Sequence, residues 1–276
     1  MEYHPSQTRA RFRTPIPPRP IERVDLAHPA TSPHLAPLQI LHISDLHVRR
    51  RPDRGSTIEH LIDAVARTPV DLIFLTGDFM HRPGHEDAAL GVLGSLADAA
   101  RARLGIFAVG GNHDTPALLR RARALRDIRW LHADAIQLDP ALCIVGASDP
   151  EDLASAITSI EHPAGLILAL AHVPSQIVPA SELGIHVLFA GHTHGGQWRI
   201  APRIAPHTSC DLPMHLASGV LRIGNTLGVV SRGLGEAIYE ARINCPRHAP
   251  LVTLRNGPMP GNPDAPADEL RQVVAW

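Results

Sequence analysis

Short apolar runs and segments of helical spacing alternate along the first half of the chain. The runs have the length of buried strands, and the pattern predicts strands at 38–43, 72–75 and 105–109. Between them, apolar residues recur every three or four positions, which predicts helices at 58–66, 87–102 and 116–125. This alternation is typical of an α/β fold in which helices cover a buried sheet.

The second half of the chain has shorter apolar runs with fewer helical segments. It predicts strands at 135–138, 142–146, 166–171 and 186–190, and a helix at 151–160. A hairpin is predicted from two further runs, 216–223 and 227–231, because Gly224-Asn225-Thr226 between them is short enough for a tight turn.

The two ends of the chain differ in composition from the middle. Residues 1–37 are rich in Pro and Arg, which predicts an arm with little regular structure apart from an edge strand at 21–26. Residues 256–276 are rich in Pro and Gly and predict a loose tail with a short terminal helix. One domain is therefore expected at 38–255.

Charge and composition narrow the classes of partner. The chain has 276 residues, 44% of them hydrophobic, and a formal net charge of −1, so no overall field attracts nucleic acid. No apolar stretch reaches the ~20 residues that cross a bilayer, and the three cysteines have no disulfide or zinc-site spacing. We expect a cytoplasmic location; peripheral contact with a membrane surface stays open.

Polar side chains follow five of the predicted strands, at the point where each strand ends. The carboxyl ends of strands in an α/β sheet are where binding sites assemble, so we expect these side chains to converge on one crevice. They are Asp45 and His47, then Asp78, then Asn112, His113 and Asp114, then His172, and finally His192 and His194 in the stretch GHTHGGQ.

Each of these elements alone has an ordinary structural explanation. Asp45 or Asn112 could cap a helix, Gly77-Asp78 could be a turn, and His172 could be a hydrogen-bonded core histidine. As an ordered series at strand ends, the set favours a metal site instead. Carboxylate, amide and imidazole ligands suit divalent ions such as Mn, Fe, Zn, Co or Ni. The absence of thiolate ligands argues against a closed structural zinc site.

The series D-x-H, G-D, G-N-H-D, H and G-H-x-H, spread over residues 38–197, resembles the calcineurin-like metallophosphoesterase superfamily. The resemblance implies a four-layer αββα sandwich with two mixed sheets flanked by helices. The continuation GGQ at 195–197 and the stretch VSRGLG at 230–235 further resemble the bacterial phosphodiesterase branch of the YkuE and YaeI type. That branch is similar to relatives that cleave the diphosphate of UDP-2,3-diacylglucosamine.

The resemblance also implies the roles of the residues in the crevice. It implies two divalent ions, with Mn first among the candidates: one ion held by Asp45, His47 and His194, the other by Asn112, His172 and His192, and Asp78 bridging both. Such a pair would activate a water for in-line attack on phosphorus. His113 would assist the leaving group, and Asp114 would orient the His113 ring.

Basic side chains near the predicted crevice are candidates for substrate binding. Arginine can hold a phosphate with two hydrogen bonds, and the candidates are Arg49, Arg50, Arg51 and Arg232. For Arg49, Arg50 and Arg51 a solvated loop is an equal alternative. His81, His85, His207 and His215 are expected at the surface.

The sequence therefore predicts a dinuclear metal-dependent hydrolase of a phosphodiester or diphosphate bond. The expected substrates are small phosphodiesters, nucleotide sugars or lipid-linked diphosphates, with UDP-2,3-diacylglucosamine as one example. The alternatives are a phosphomonoesterase or phosphoprotein phosphatase on the same metals, and a noncatalytic metal-binding interaction module. No nucleic-acid substrate is expected, because the chain shows no basic stripe and only 4% aromatic residues.

Overall fold

A computed structural model describes residues 20–52, 54–147, 149–160, 165–201, 204–205, 207–208, 210–237 and 240–276. The strands in this part of the chain are β1 Ile21–Ala27, β2 Leu38–Ile43, β3 Val70–Thr76, β4 Ala102–Val109, β5 Ile128–Trp130, β6 Asp134–Asp139, β7 Leu142–Gly146, β8 Leu166–Leu170, β9 Val187–Ala190, β10 Gly219–Ile223, β11 Thr226–Val230, β12 Ala249–Arg255 and β13 Arg271–Val274. The α-helices are α1 Thr57–Ala66, α2 Glu86–Ala99, α3 Pro116–Ala122, α4 Pro150–Thr158 and α5 Ile177–Glu182.

The strands form two mixed sheets. The first sheet has the order β1-β12-β2-β3-β4-β5, in which β2 to β5 are parallel and β12 runs antiparallel to β2. The second has the order β13-β10-β11-β9-β8-β7-β6, with β7, β8, β9 and β11 parallel. Parallel neighbours end at the same edge of a sheet, which is the edge where the polar residues of interest follow.

The sheets pack face to face, and helices cover both outer faces. Side chains alternate between the two faces of each strand. Leu38 and Ile40 of β2 therefore join the core between the sheets, whereas Leu41 and Ile43 pack under helices α1, α2 and α3. Helices α4 and α5 cover the second sheet over a further apolar core. The predicted four-layer αββα arrangement is confirmed.

The tail differs from its prediction. The short terminal helix predicted there was wrong, because Arg271–Val274 forms strand β13 and pairs antiparallel with β10. Valines 273 and 274 are β-branched and suit the edge of an existing sheet better than an isolated helix. The predicted edge strand near residue 21 is present as β1, while the rest of the predicted arm, residues 1–19, lies outside the described residues.

A buried histidine on the inter-sheet face makes the fold sensitive to acid. His42 on β2 is fully enclosed, with Nε2 2.8 Å from Oγ1 of Thr76 and its ring edge-on to Phe189. Burial lowers the pKa of His42 from 6.5 to about 3, so the folded chain holds this ring neutral at a pH where the unfolded chain protonates it. The stability that His42 contributes is therefore lost as the pH falls below 6.5.

We expect the variant His42→Gln to lose less stability on acidification than the unaltered protein. At ~1.4 kcal/mol per pKa unit, His42 alone costs on the order of 3 kcal/mol between pH 6.5 and pH 4. Glutamine retains a polar group for Thr76 but does not titrate. Urea unfolding at the two pH values measures the difference, with His60→Gln, an exposed histidine on α1, as the control. An equal pH-dependent loss in both variants would contradict the assignment.

Candidate metal centre

The two sheets bring their polar strand ends to a common edge. The segments after β2 and β3 are joined there by backbone hydrogen bonds: Asp45 N–H donates to the Gly77 carbonyl at 3.0 Å and His47 N–H to the Asp78 carbonyl at 2.9 Å. The segment after β9, which belongs to the second sheet, is joined to the segment after β2 because His192 N–H donates to both carboxylate oxygens of Asp45, at 3.0 and 3.1 Å. The predicted single crevice is therefore shared by the two sheets.

The seven predicted ligands lie together at this edge, in two groups. In the first group the Nε2 atoms of His47 and His194 are 3.0 Å apart, and Nε2 of His194 is 3.5 Å from Oδ1 of Asp45. In the second, Nε2 of His172 is 3.0 Å from Oδ1 of Asn112 and 3.1 Å from Nδ1 of His192.

Asp78 lies between the two groups. Its Oδ2 atom is 3.5 Å from Nε2 of His47 in the first group and 3.3 Å from Nε2 of His172 in the second. Its other oxygen, Oδ1, accepts the backbone N–H of His113 at 2.8 Å, which fixes the plane of the carboxylate. This is the position that a bridging ligand requires.

The second group is oriented by a backbone contact behind it. The Nδ1–H of His172 donates to the Thr76 carbonyl at 2.7 Å, which directs Nε2 toward Asp78 and Asn112. When a cation replaces the proton on Nε2, this contact fixes the tautomer that binds a metal ion.

The electrostatics of the edge indicate a requirement for positive charge. Burial raises the pKa of Asp45 to about 6. Burial also acts against ionisation of Asp78, but its contact with His172 outweighs this and keeps the pKa of Asp78 well below its usual range. Burial alone would lower the pKa of His172, but the attraction of the Asp78 carboxylate outweighs burial and raises this pKa to about 9. Carboxylates this enclosed need a proton or a cation beside them.

The backbone at the ligands is strained. Of the eight non-glycine residues with positive φ in the described chain, five are predicted ligands: Asp45, His47, Asp78, His192 and His194. L-residues rarely adopt this conformation, and each such residue costs on the order of 1–3 kcal/mol. Strain concentrated on ligands is typical of a site whose geometry is held by the surrounding fold. The donor set and its geometry therefore fit a pair of divalent cations.

His113 lies beside the first group, within reach of Asp78. Its ring centroid is 4.7 Å from that of His47, and its ligand atom lies within 4.8 Å of those of His47 and Asp78. The Nδ1–H of His113 donates to the His81 carbonyl at 2.8 Å, which leaves Nε2 to exchange a proton with a bound molecule.

The expected contact between Asp114 and the His113 ring is wrong, because the His81 carbonyl takes that position. The Asp114 carboxylate instead accepts backbone N–H groups from Phe79 at 2.8 Å, Met80 at 3.3 Å and Gly111 at 2.9 Å. Asp114 thus joins the turns after β3 and β4, and it positions His113 through the backbone. Burial raises the pKa of Asp114 to about 6.

The predicted substrate-binding arginines occupy different surroundings. Arg49 is half-buried, with Nη1 3.1 Å from Oε1 of Glu240 and Nη2 donating to the Glu236 carbonyl at 3.3 Å. Arg50 and Arg51 are exposed. Arg232 is buried beside the first ligand group, and its Nη2 lies 3.3 Å from Oε2 of Glu22.

Two neighbours of the site were not assigned from the sequence. Arg242, buried at 4% exposure, contacts the His194 segment. His81, expected at the surface, is half-buried, and its ring stacks between those of His113 and His85 at 6.3 and 6.2 Å. No spacing of residues in the sequence indicates that Arg242 or His81 lies at the site. His207 and His215 are exposed, as predicted.

We expect Gly191→Ala to destabilise the site. A Cβ at Gly191 would overlap Oγ of Ser44 and Oδ2 of Asp45, so the strand ends of both sheets would have to separate. Overpacking of this kind costs about 1–3 kcal/mol. Thermal unfolding measures it against Gly94→Ala, where a Cβ on α2 meets open space and helix propensity is expected to raise stability. Equal melting temperatures for the two variants would contradict the close approach.

Comparison with known proteins identifies the family of the chain. The calcineurin-like phosphoesterase family matches residues 38–196. The uncharacterized metallophosphoesterase YkoQ of Bacillus subtilis strain 168 is 30% identical over 223 residues, which cover 71% of this chain and 80% of YkoQ. The phosphodiesterase YaeI of Escherichia coli strain K12 is 26% identical over 230 residues, which cover 79% of this chain and 82% of YaeI.

Among solved structures, a dimetal phosphatase from Danio rerio is similar with a TM-score of 0.46 and 13% identity, over 72% of this chain and 88% of that one. The family match covers more than half of the chain. The chain therefore belongs to the calcineurin-like phosphoesterase family. Within that family it is a hydrolase with metallophosphoesterase and phosphodiesterase homologues.

Within the described residues, no helix is both long and apolar enough to cross a bilayer.

Proposed function

We propose that this chain hydrolyses a phosphodiester or diphosphate bond of a small molecule with two divalent cations, Mn²⁺ first among them. The observation that carries the proposal is the placement of Asp78 between two groups of ligands, with His113 beside them. Divalent cations bound there would lower the pKa of a shared water and neutralise charge on the phosphoryl oxygens.

The chain's own residues supply positioning and proton transfer. Asp78 lies between the two ligand groups, and its hydrogen bond from His113 N–H holds His113 beside them. With Nδ1–H occupied by the His81 carbonyl, Nε2 of His113 is the atom that would hold a proton for the leaving oxygen. Asn112, which is exposed, marks the side on which a substrate would enter.

The test compares a diester and a monoester with the same leaving group. The protein is stripped with a chelator, dialysed and reloaded with Mn²⁺, and bis(p-nitrophenyl) phosphate and p-nitrophenyl phosphate are then compared. Metal-dependent hydrolysis that favours the diester supports the proposal. Preference for the monoester favours the phosphatase alternative, and metal binding without hydrolysis of either favours the noncatalytic module.

A group of exposed isoleucines favours a substrate with an apolar part. Ile200, Ile204 and Ile243 are 76%, 54% and 50% exposed, and the Arg199 N–H bond to the Ile243 carbonyl at 2.9 Å joins their segments just after Gln197. Contiguous exposed apolar surface commonly marks a contact with a ligand or a partner. We therefore propose an acylated nucleotide diphosphate of the UDP-2,3-diacylglucosamine type as a candidate substrate.

The candidate is tested by comparing the acylated nucleotide sugar with its deacylated form. A higher kcat/KM for the acylated form, reduced selectively by the double variant Ile200→Ser and Ile243→Ser, supports an apolar contact. Equal kcat/KM values for the two forms would contradict it and leave the phosphodiester proposal unaffected.

A further inference from the structure

Arg242 is an enclosed cation next to the first ligand group, and the proposed reaction does not use it. Its guanidinium donates hydrogen bonds to main-chain oxygens of two separate segments. Nη2 donates to the Arg232 carbonyl at 2.8 Å and to the Gly235 carbonyl at 2.6 Å, and Nη1 donates to the His194 carbonyl at 3.3 Å. Arginine has five donors in a planar fork, so it can join two loops that a single-donor side chain could not.

Each of the two segments joined by Arg242 contains or supports a predicted ligand of the same ion. One contains His194 itself, whose main-chain carbonyl accepts from Nη1 of Arg242. The other, residues 232–235, supports Asp45 from behind, because Gly235 N–H donates to the Asp45 carbonyl at 2.6 Å and Leu234 N–H does so at 3.3 Å. Arg242 thus reaches His194 directly and Asp45 through Gly235.

The second ligand group depends on other supports. His172 is oriented by the Thr76 carbonyl, and Asp78 by the backbone N–H of His113. Those supports come from the end of β3 and the segment after β4, away from the two loops that Arg242 joins. The link between the two groups is His192 N–H, which donates to the Asp45 carboxylate. Loss of Arg242 should therefore disturb one ion more than the other.

The sign of the effect separates positioning from simple electrostatics. A guanidinium beside a cation repels it, so removal of the charge alone would tighten metal binding. Removal of a clamp that holds two ligands in place would weaken metal binding, since outer supports of ligands are typically worth about 10–100-fold in affinity.

We propose that Arg242 is a positioning residue that holds Asp45 and His194 in place for one metal ion and affects the other ion less. The proposal rests on the two-metal centre described under the proposed function.

The test is a metal titration of Arg242→Gln. Chelator-stripped protein is titrated with Mn²⁺ by calorimetry, and bound metal is counted by elemental analysis. We expect one of the two ions to bind about 10–100-fold more weakly and the affinity of the other to change less. Arg247→Gln is the matched control, because it removes the same charge from the same segment; Arg247 pairs closely with Glu236, which Arg242 approaches only at 4.0 Å. It is expected to bind both ions as the unaltered protein does.

Several outcomes would overturn the proposal. These are two ions bound by Arg242→Gln with unchanged or higher affinity, or equal weakening of both ions in a variant with an unaltered circular dichroism spectrum. If Arg242→Gln fails to fold, Arg242→Lys is judged by the same criteria, because lysine keeps the charge but cannot span both loops. Failure of the unaltered protein to bind two ions would overturn the proposed function itself.

Discussion

The variant Asp78→Ala is expected to lose both metal ions together and to hydrolyse a phosphodiester roughly 10³-fold more slowly or worse, because metal-ion catalysis supplies several kcal/mol and each ~1.4 kcal/mol is a factor of ten. The reason lies in the position of Asp78, whose Oδ2 is 3.5 Å from His47 and 3.3 Å from His172, one histidine of each ligand group. Elemental analysis and kcat/KM for bis(p-nitrophenyl) phosphate measure the two effects.

The control for Asp78→Ala is Asp87→Ala, which removes an exposed carboxylate that pairs with Arg121 on the surface. This control is expected to bind two ions and to keep its activity, since exposed ion pairs contribute little. Retention of one tightly bound ion by Asp78→Ala would show that Asp78 serves a single ion, and full retention of activity would refute its place in the centre.

The variant His113→Ala is expected to keep both ions and to lose about 10²-fold or more in kcat, the usual scale for a missing acid or base. The loss should depend on the leaving group. A p-nitrophenolate leaves without a proton, whereas an alkoxide, whose conjugate acid has a much higher pKa, needs one, so the variant should be most impaired on the alkyl diester. Parallel measurements of kcat on an aryl and an alkyl diester decide this.

Two results would separate a proton-transfer role of His113 from a structural one. The variant His60→Ala removes an exposed histidine on α1 and should leave both rates unchanged. An equal loss on both substrates by His113→Ala would indicate that the ring only shapes the site, and an unchanged rate on the alkyl diester would exclude the role in proton transfer.

Much of the fold could be predicted because its signals are local. Strand β2 is recognisable from six consecutive residues, and helix α3 from Thr115-Pro116 at its start, where the Thr115 side chain accepts Leu118 N–H. The polar residues at strand ends were recognisable for the same reason. Strand β12 was not, because it is placed by pairing with β1 and β2 from the far end of the chain.

The supports of the site were harder to predict than its ligands. The partner of the His113 ring is the main-chain carbonyl of His81, and any residue type offers a carbonyl, so the sequence carries no signal for it. Asp114 was expected at that ring from the family resemblance; its burial among the backbone N–H groups of Gly111, Phe79 and Met80 arises only when two turns meet.

Each ligand group draws side chains from both sheets. Asp45 and His47 of the first sheet face His194 of the second, and Asp78 of the first faces His172 and His192 of the second. A cation bound by ligands from both sheets would stabilise the folded chain, because its binding free energy would add to the free energy of unfolding. Removal of the metal would then lower both the activity and the thermal stability of the protein.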